Sequence, residues 1–301
     1  MSQGLFKTIL ISGIFAVLAA GTVRADSRQY AVFRPSLKVW YAKSDENVRS
    51  FAAFKLGDET DVLVPADYDG DGITDFAVWS PNDGIWNIRQ SSNNQIIIAH
   101  LGGIAGDKAD IPVPADYDGD RKADVAVFRP QTGEWFILRS TNAGQKADIE
   151  NWGAGGDVAV PADYDGDGKA DLAYFRPSEN RWYIEKSSNG ELSAIKFGES
   201  GKDVLVPADY TGDGKADVAV YRGGIWYVRN SKTGVTEPFV MGFTDGIAVP
   251  GDYDGDGTTD FAVFRKGTWY IYDSAKPRFH TFNFGLESDV PLNSLKTKPS
   301  I

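Results

Sequence analysis

The chain contains no cysteine and only two histidines, His100 and His280, among its 301 residues. Without cysteine there is no disulfide framework, no thiolate zinc site, no iron–sulfur cluster and no cysteine nucleophile. Two histidines at non-equivalent positions also give little material for histidine-based catalysis. Basic side chains are scarcer than acidic ones, 31 against 42, and the formal charge of -11 disfavours contact with a phosphate backbone. Nucleic acid is therefore not an expected partner.

Long apolar runs are also scarce, and the one at residues 8–20 stands near the start of the chain. Lys7 precedes this run, and Val23 and Ala25 have the spacing of a cleavage site, which is typical of a secretory signal peptide. The alternative is a membrane anchor, but the run is shorter than the about 20 residues that a membrane-spanning helix needs. We interpret residues 1–25 as a signal peptide and predict that residues 26–301 act in the periplasm, at the cell surface or outside the cell.

A repeated unit occupies the rest of the sequence. Its acidic segments begin at Asp67, Asp116, Asp163, Asp209 and Asp252, between 43 and 49 residues apart. Each unit has four short runs rich in Val, Ile, Phe, Tyr and Trp, bounded by Gly, Asn, Asp and Pro, which predicts four strands. The second run lacks a polar face, so both of its faces should be covered. A repeated four-stranded unit of this length indicates the blades of a β-propeller.

The number of blades follows from two markers, a tryptophan in the third run and a glycine after the fourth, each found six times. We predict an all-β, six-bladed β-propeller of four-stranded antiparallel blades as a single domain over residues 26–301, and a monomer. Five blades are predicted at 61–102, 110–153, 157–198, 203–242 and 246–285. The sixth combines residues 30–57 with residues 289–295, because the two ends of the chain carry complementary parts of one unit. This pairing closes the ring and removes a free sheet edge; the alternative is an open solenoid.

The acidic segments are nine-residue loops with carboxylates at positions 1, 3, 5 and 9. Alternating oxygens in a tight loop suit a hard cation such as Ca²⁺, which takes six to eight oxygen ligands, and the carbonyl of position 7 would add one. An EF-hand is excluded because position 12 lies in the next strand instead of supplying a glutamate. The alternative is five metal-free Asp-Gly turns, but the crowded carboxylates would repel one another without a cation. The predicted metal ligands are Asp67, Asp69, Asp71, Ile73 and Asp75; Asp116, Asp118, Asp120, Lys122 and Asp124; Asp163, Asp165, Asp167, Lys169 and Asp171; Asp209, Thr211, Asp213, Lys215 and Asp217; and Asp252, Asp254, Asp256, Thr258 and Asp260.

Two of the five predicted Ca²⁺ sites depart from the pattern. Thr211 replaces the carboxylate at position 3, and Arg121 replaces the glycine at position 6, where a left-handed backbone conformation is expected. We expect the site at Asp116 to be the weakest and the site at Asp209 the next weakest.

The repeated units resemble the FG-GAP and VCBS repeats over about residues 28–295. The most specific motifs are VPADYDGDG, ADVAVFRP and GEWFILRS. The resemblance implies a β-propeller with a calcium loop between the first and second strands of a blade. It implies no single activity, because the family includes adhesion modules, lectin-like binders and accessory domains of enzymes.

Candidate ligand-binding residues lie at the opposite end of the predicted second strands. Five blades end this strand with an arginine, whose planar guanidinium suits carboxylates, although each arginine could instead stabilise its own blade. Two tryptophans outside the repeat pattern are further candidates: Trp79 stands where the other blades have Phe or Tyr, and Trp152 precedes the recurrent Gly153. The full set is Arg34, Arg129, Arg176, Arg222, Arg265, Trp79 and Trp152.

The repeats fill the sequence after the predicted signal peptide, which favours a non-catalytic module that binds an extracellular protein or glycan. The alternative is an extracellular enzyme acting on polysaccharides, a lyase or a glycosidase, built on the propeller. The obstacle to that alternative is that nearly every recurrent aspartate is already assigned to a metal loop.

Overall fold

The computed structural model describes residues 30–43, 52–103, 110–142, 146–274 and 276–292. The predicted signal peptide at residues 1–25 lies outside them. Apart from a 3-10 turn at Ser140–Asn142, the regular elements in these segments are strands. Among the described residues no helix is long and apolar enough to cross a membrane.

The strands form six antiparallel sheets of four strands, here called blades 1 to 6. Blade 1 contains β1 (Tyr30–Arg34), β2 (Val39–Lys43), β3 (Ala52–Lys55) and β24 (Val290–Pro291), and blade 2 contains β4 (Val62–Leu63), β5 (Phe76–Trp79), β6 (Ile85–Arg89) and β7 (Ile96–His100). Blade 3 contains β8 (Ile111–Pro112), β9 (Val125–Arg129), β10 (Glu134–Leu138) and β11 (Asp148–Asn151), and blade 4 contains β12 (Val158–Ala159), β13 (Leu172–Arg176), β14 (Arg181–Glu185) and β15 (Leu192–Lys196). Blade 5 contains β16 (Val204–Leu205), β17 (Val218–Arg222), β18 (Ile225–Arg229) and β19 (Thr236–Val240), and blade 6 contains β20 (Ile247–Ala248), β21 (Phe261–Arg265), β22 (Thr268–Asp273) and β23 (Arg278–Asn283). The six-bladed β-propeller prediction is confirmed.

The ring is closed by strands from the two ends of the described chain. In blade 1, β24 pairs with β1 so that Val290 lies opposite Phe33 and Pro291 opposite Val32. The backbone N–H of Leu292 extends this ladder by donating to the Ala31 carbonyl. The predicted joining of the N- and C-terminal segments is therefore confirmed for residues 289–292, while residues 293–295 lie outside the described chain.

Hydrophobic packing explains why the blades need one another. The second strands are buried along nearly their whole length, whereas the third strands alternate between buried and half-buried residues. Each of six apolar clusters joins one blade to the next, and one of them packs Tyr30 and Val32 of blade 1 against Trp269 of blade 6. Face-to-face packing supplies the cover on both faces that the apolar second strand requires.

The recurrent tryptophan has a structural role that is the same in all six blades. Each of these rings is fully buried, and each indole Nε1–H donates to the carbonyl of the residue before the recurrent glycine. In blade 2, for example, Trp86 donates to Leu101, and Gly102 follows with a φ of 78°. The indole therefore fixes the chain where it leaves the outer strand for the next blade. The six rings are Trp40, Trp86, Trp135, Trp182, Trp226 and Trp269.

Candidate metal centres

The acidic loops lie between the first and second strands of blades 2 to 6, as predicted. Each loop is closed at its base by an isolated antiparallel bridge, for example between Ala66 and Asp75 in blade 2. The bridge brings position 9 of the loop next to the residue before position 1. A nine-residue segment is thereby forced into a compact loop with its carboxylates turned inward.

Backbone N–H groups organise the first carboxylate of each loop. In blade 2 the two oxygens of Asp67 accept hydrogen bonds from Gly70 N at 2.7 Å and Gly72 N at 2.8 Å. Both glycines have φ angles near 80°, a conformation that side chains disfavour. The same pair of bonds recurs around Asp116, Asp163, Asp209 and Asp252.

The carboxylates converge in four of the five loops. In each of these loops, oxygens of three aspartates lie within 4.8 Å of one another, a group of hard donors that fits a Ca²⁺ ion. The four groups are Asp67, Asp69 and Asp71; Asp116, Asp118 and Asp124; Asp163, Asp165 and Asp171; and Asp252, Asp254 and Asp260. In blade 5, where Thr211 replaces the third-position carboxylate, no such group of three forms among the described residues.

The electrostatics of the loops favour a bound cation. Burial raises the pKa of the position-9 carboxyls of Asp75, Asp124 and Asp260 to about 7, and neighbouring carboxylates add to the effect. Burial likewise raises the pKa of Asp67 and Asp252, at position 1, to about 6. Keeping these groups ionised without a partner costs free energy, which a divalent cation would offset.

Serine and threonine side chains in the turn after the third strand complete these loops, and the sequence analysis did not identify them. In blade 2, Ser91 donates its backbone N–H to Asp75 and its hydroxyl to Asp71 at 2.9 Å, and Ser92 donates its hydroxyl to Asp69 at 2.6 Å. These donors orient oxygens that would ligate a metal. The serine whose N–H reaches the position-9 aspartate recurs in all five blades as Ser91, Ser140, Ser187, Ser231 and Ser274. Its spacing of 14 or 16 residues from that aspartate is the signal that could have identified it.

Neighbouring loops are joined across the blade boundaries. The carbonyl of Asp67 accepts a hydrogen bond of 2.6 Å from Ala123 N in the loop of blade 3, and a corresponding bond joins each following pair of loops. The side chain of Lys122 lies over the preceding loop, where a Cβ on Gly70 would be 3.0 Å from its Cγ. The side chain at position 7 thus packs on the loop of the previous blade, while its backbone carbonyl is part of its own loop.

Arg121 adopts the left-handed conformation that the sequence predicts, with a φ of 70°. Its loop nevertheless brings three carboxylates together, whereas the loop at Asp209 does not. In the Asp209 loop the hydroxyl of Thr211 lies 3.5 Å from Asp217 in place of a third-position carboxylate. The expected order of affinity, with the Asp116 site weakest and the Asp209 site next, stays a prediction.

At the other end of the second strands, each of the five arginines pairs with an aspartate near the start of its own blade's inner strand. Arg176 contacts both oxygens of Asp157, at 2.9 and 2.8 Å. In blade 1 the equivalent pair, Arg34 and Asp289, joins residues that are 255 positions apart. The other pairs are Arg129 with Asp110, Arg222 with Asp203, and Arg265 with Asp245. These contacts support the interpretation that the arginines stabilise the blades, and a ligand-binding role stays a prediction.

Blade 2 lacks this arginine and has Ser80 in its place. The equivalent aspartate, Asp61, accepts a backbone hydrogen bond from Asp58, and burial raises its pKa. The ring of arginine–aspartate pairs is therefore interrupted at one blade.

The two irregular tryptophans differ in their surroundings. Trp79 is 1% exposed and donates its indole N–H to the Leu101 carbonyl, so the structure gives it a packing role rather than a contact surface. Trp152 is half-buried and its ring lies 5.5 Å from that of Tyr174 in the next blade. Of the two, Trp152 alone keeps part of its surface open to solvent.

Comparisons with known proteins agree with this architecture. The family model described as FG-GAP-like repeat matches residues 67–127, 116–174 and 163–220, which together make up just over half of the chain. No curated protein matches the chain.

Solved structures show the same fold at low identity. A lectin from Agrocybe aegerita, described as recognising terminal N-acetylglucosamine, has a TM-score of 0.58 at 15% identity, covering 91% of this chain and 96% of its own. TolB from Acinetobacter baumannii has a TM-score of 0.60 at 13% identity, covering 92% and 67%. A chain of a nidogen–laminin complex has a TM-score of 0.56 at 8% identity, covering 89% and 97%.

Proposed function

This chain belongs to the FG-GAP-like repeat family, and on that premise we propose that it is a calcium-binding β-propeller that acts as a non-catalytic binding module for an extracellular protein or glycan. The observation that carries the metal part is the convergence of three carboxylates within 4.8 Å in four of the six blades. A single acidic turn is common in proteins without a bound ion. The same oxygen-lined loop in four blades supports a set of binding sites for a hard cation.

Calcium would be held by the carboxylates at positions 1, 3, 5 and 9, with the position-7 carbonyl, and would act as a structural ion. Bound there, it neutralises aspartates that burial otherwise makes costly to ionise. The serine and threonine donors behind the carboxylates would keep them oriented. The ions would therefore stiffen one end of the blades that carry an acidic loop, blades 2 to 6.

The binding part of the proposal rests on the other end of the blades and on the fold. Propellers of this fold include a lectin and a chain of a protein complex, so the scaffold serves recognition of both glycans and proteins. The arginines of these pairs keep 20 to 33% of their side-chain surface exposed. The ring of Trp152 lies 5.5 Å from that of Tyr174, whose hydroxyl accepts a hydrogen bond from Arg176. Such a surface would contact acidic or hydroxyl-rich ligands through charge-assisted hydrogen bonds.

The enzyme alternative has fewer parts available in the structure. Among the described residues, the recurrent aspartates other than Asp61 are engaged in the acidic loops or in pairs with arginine, which takes them out of paired acid and base work.

Native mass spectrometry and calorimetric titration with Ca²⁺ test the metal part. We expect at least four bound ions, and one fewer in Asp163→Asn, which removes a ligand from the blade 4 loop. Asp148→Asn, an exposed aspartate outside the loops, is the matched control and should keep the full number. A metal-free mass in excess Ca²⁺ would refute the proposal.

Screening against a glycan array and an extracellular-matrix protein panel, with Ca²⁺ present, tests the binding part. We expect a ligand whose affinity falls in Trp152→Ala but not in Phe279→Ala, an exposed ring of the outer strand β23. Turnover of a polysaccharide by the calcium-loaded protein would instead favour the enzyme alternative.

A further inference from the structure

The outer strand of blade 2, β7 (Ile96–His100), is unlike the other outer strands of the ring. Three consecutive isoleucines, Ile96, Ile97 and Ile98, are 55%, 43% and 60% exposed. Because they are adjacent, they expose apolar surface on both faces of the strand. An exposed apolar strand at a sheet edge is a template for pairing with another strand.

The other five outer strands carry residues that discourage such pairing. Each contains a charged residue or a proline: Lys55 in β3, Asp148 and Glu150 in β11, Lys196 in β15, Glu237 and Pro238 in β19, and Arg278 in β23. Charge and proline on an edge strand are the usual means of blocking edge-to-edge association. Among the described outer strands β7 alone has neither.

The comparison with blade 5 is position by position. Ile98 lies opposite Asn87, which lies opposite Val78; Pro238 lies opposite Tyr227, which lies opposite Val220. Val78 and Val220 are both position 12 counted from the start of their acidic loops. Pro238 therefore stands at the place of Ile98, where blade 5 has no backbone N–H to offer.

The backbone of β7 has its free groups at the same place. Gln95 directs its carbonyl to Gln90, and Leu101 directs its N–H to Gly84, so both point inward to the hairpin. Because backbone groups alternate along an antiparallel strand, those of Ile96, Ile98 and His100 face the outer edge. A second strand could take up all of them.

The charge distribution of the sequence indicates that the strand pairing with β7 comes from a second copy of this chain. Residues 90–106 form the longest stretch of the sequence without a charged side chain, in a chain of formal charge -11. Two copies of this acidic protein would repel each other at most other places on their surface, but not along β7. An antiparallel pair about a two-fold axis at Ile98 places Ile98 opposite its own copy and Ile96 opposite His100, so the strand is complementary to itself.

We propose that this protein forms a homodimer in which the β7 strands of two copies pair antiparallel, joining two blades into one continuous eight-stranded sheet. The monomer expected from the sequence is then the dissociated form. The pairing is isologous, so it closes at two copies and leaves no further β7 edge exposed.

Light scattering and sedimentation of the calcium-loaded full chain, over a concentration series up to about 100 μM, test the proposal. We expect twice the chain mass at the upper end, falling towards one chain mass on dilution. Ile98→Pro removes the edge N–H at the axis and should give one chain mass throughout, and blade 5 shows that a proline here is compatible with the blade. Ile98→Lys places two like charges face to face and should have the same effect.

Leu192→Lys is the matched control, because Leu192 on the outer strand β15 is also 60% exposed. It should stay dimeric, and all variants should keep the wild-type melting temperature in the monomeric range. Hydrogen exchange should show the amides of Ile96, Ile98 and His100 becoming protected only as the concentration rises. A wild-type protein with one chain mass at every concentration, assemblies larger than two copies, or a dimer that survives Ile98→Pro would each overturn the proposal.

Discussion

Removing calcium from the proposed sites should reverse the direction in which pH changes the stability of this protein. Burial raises the pKa of Asp75, Asp124 and Asp260 to about 7 in the metal-free fold, whereas an exposed aspartate titrates near 3.8. The fold therefore binds these protons more tightly than the unfolded chain does. This stabilisation is complete below about pH 4 and is lost as pH rises through about 7. In EDTA the protein should be more stable at pH 5 than at pH 8.

The magnitude follows from the size of the shift. One pKa unit corresponds to about 1.4 kcal/mol, so ionising a single carboxyl such as Asp75, which is fully buried, costs the metal-free fold about 4 kcal/mol by pH 8. A typical domain has only about 5–15 kcal/mol of stability. Several such loops together would bring the metal-free protein close to unfolding at pH 8.

Calcium at the proposed sites should act in the opposite direction, because it would bind the ionised carboxylates. At a free concentration about 100 times the dissociation constant, each site adds about 2.7 kcal/mol, and four sites add about 11 kcal/mol. At about 2 °C per kcal/mol this raises the melting temperature by about 20 °C. The gain should shrink as pH falls, because protons compete with the metal for the same oxygens.

The assay is a set of thermal melts followed by circular dichroism at pH 5, 6, 7 and 8, in EDTA and in Ca²⁺. Asp75→Asn is the control, because it removes one of the titrating groups and should reduce the fall in EDTA between pH 5 and pH 8. A melting temperature in EDTA that stays constant or rises with pH would show that the buried carboxyls are not the groups responsible.

Three further predictions concern single side chains. Asp289→Asn leaves Arg34 without its carboxylate partner at the ring closure and should lower the free energy of unfolding, measured in urea, by about 3 kcal/mol. The control is Asp58→Asn, which disrupts an exposed pair with Lys38 and should change the free energy of unfolding by less than about 1 kcal/mol. Trp182→Phe removes the N–H that donates to the Phe197 carbonyl and should lower the free energy of unfolding by about 1–3 kcal/mol in the same measurement. An unchanged free energy of unfolding would contradict the role of this hydrogen bond in fixing the end of the outer strand. Ser188→Ala, which removes the hydroxyl that contacts Asp165, should weaken one calcium site about 10-fold in a calorimetric titration and leave the others unchanged.

The repeat made most of the architecture predictable. Six copies of a tryptophan and a glycine predicted six blades, and the incomplete units at the two ends predicted the joint blade that β1 and β24 form. The acidic loops were predictable for the same reason, since a fixed spacing of carboxylates has a local geometric meaning. Local sequence thus determined the elements, and repetition determined their number.

Contacts between parts of a unit were harder to predict. The partner aspartates of the arginines recur 19 or 20 residues earlier in four blades, but a spacing of that size has no meaning until two strands are paired. The serines behind the acidic loops were missed because a turn rich in Ser and Asn reads as an ordinary connection. The exposure of β7 was also invisible, because an isoleucine run looks the same in the sequence whether it is buried or open to solvent.

The joint blade has a consequence for how the protein is made. The innermost strand of the first blade, β24, is the last strand of the described chain, so β1 must wait with one edge unpaired while more than two hundred residues are added. Blades 2 to 6 have all their strands in order and can mature one after another during synthesis. The first blade is therefore expected to complete last. A chain that ends before Asp289 would leave the ring open and the edge of β1 exposed, as a site for chaperone binding or proteolysis.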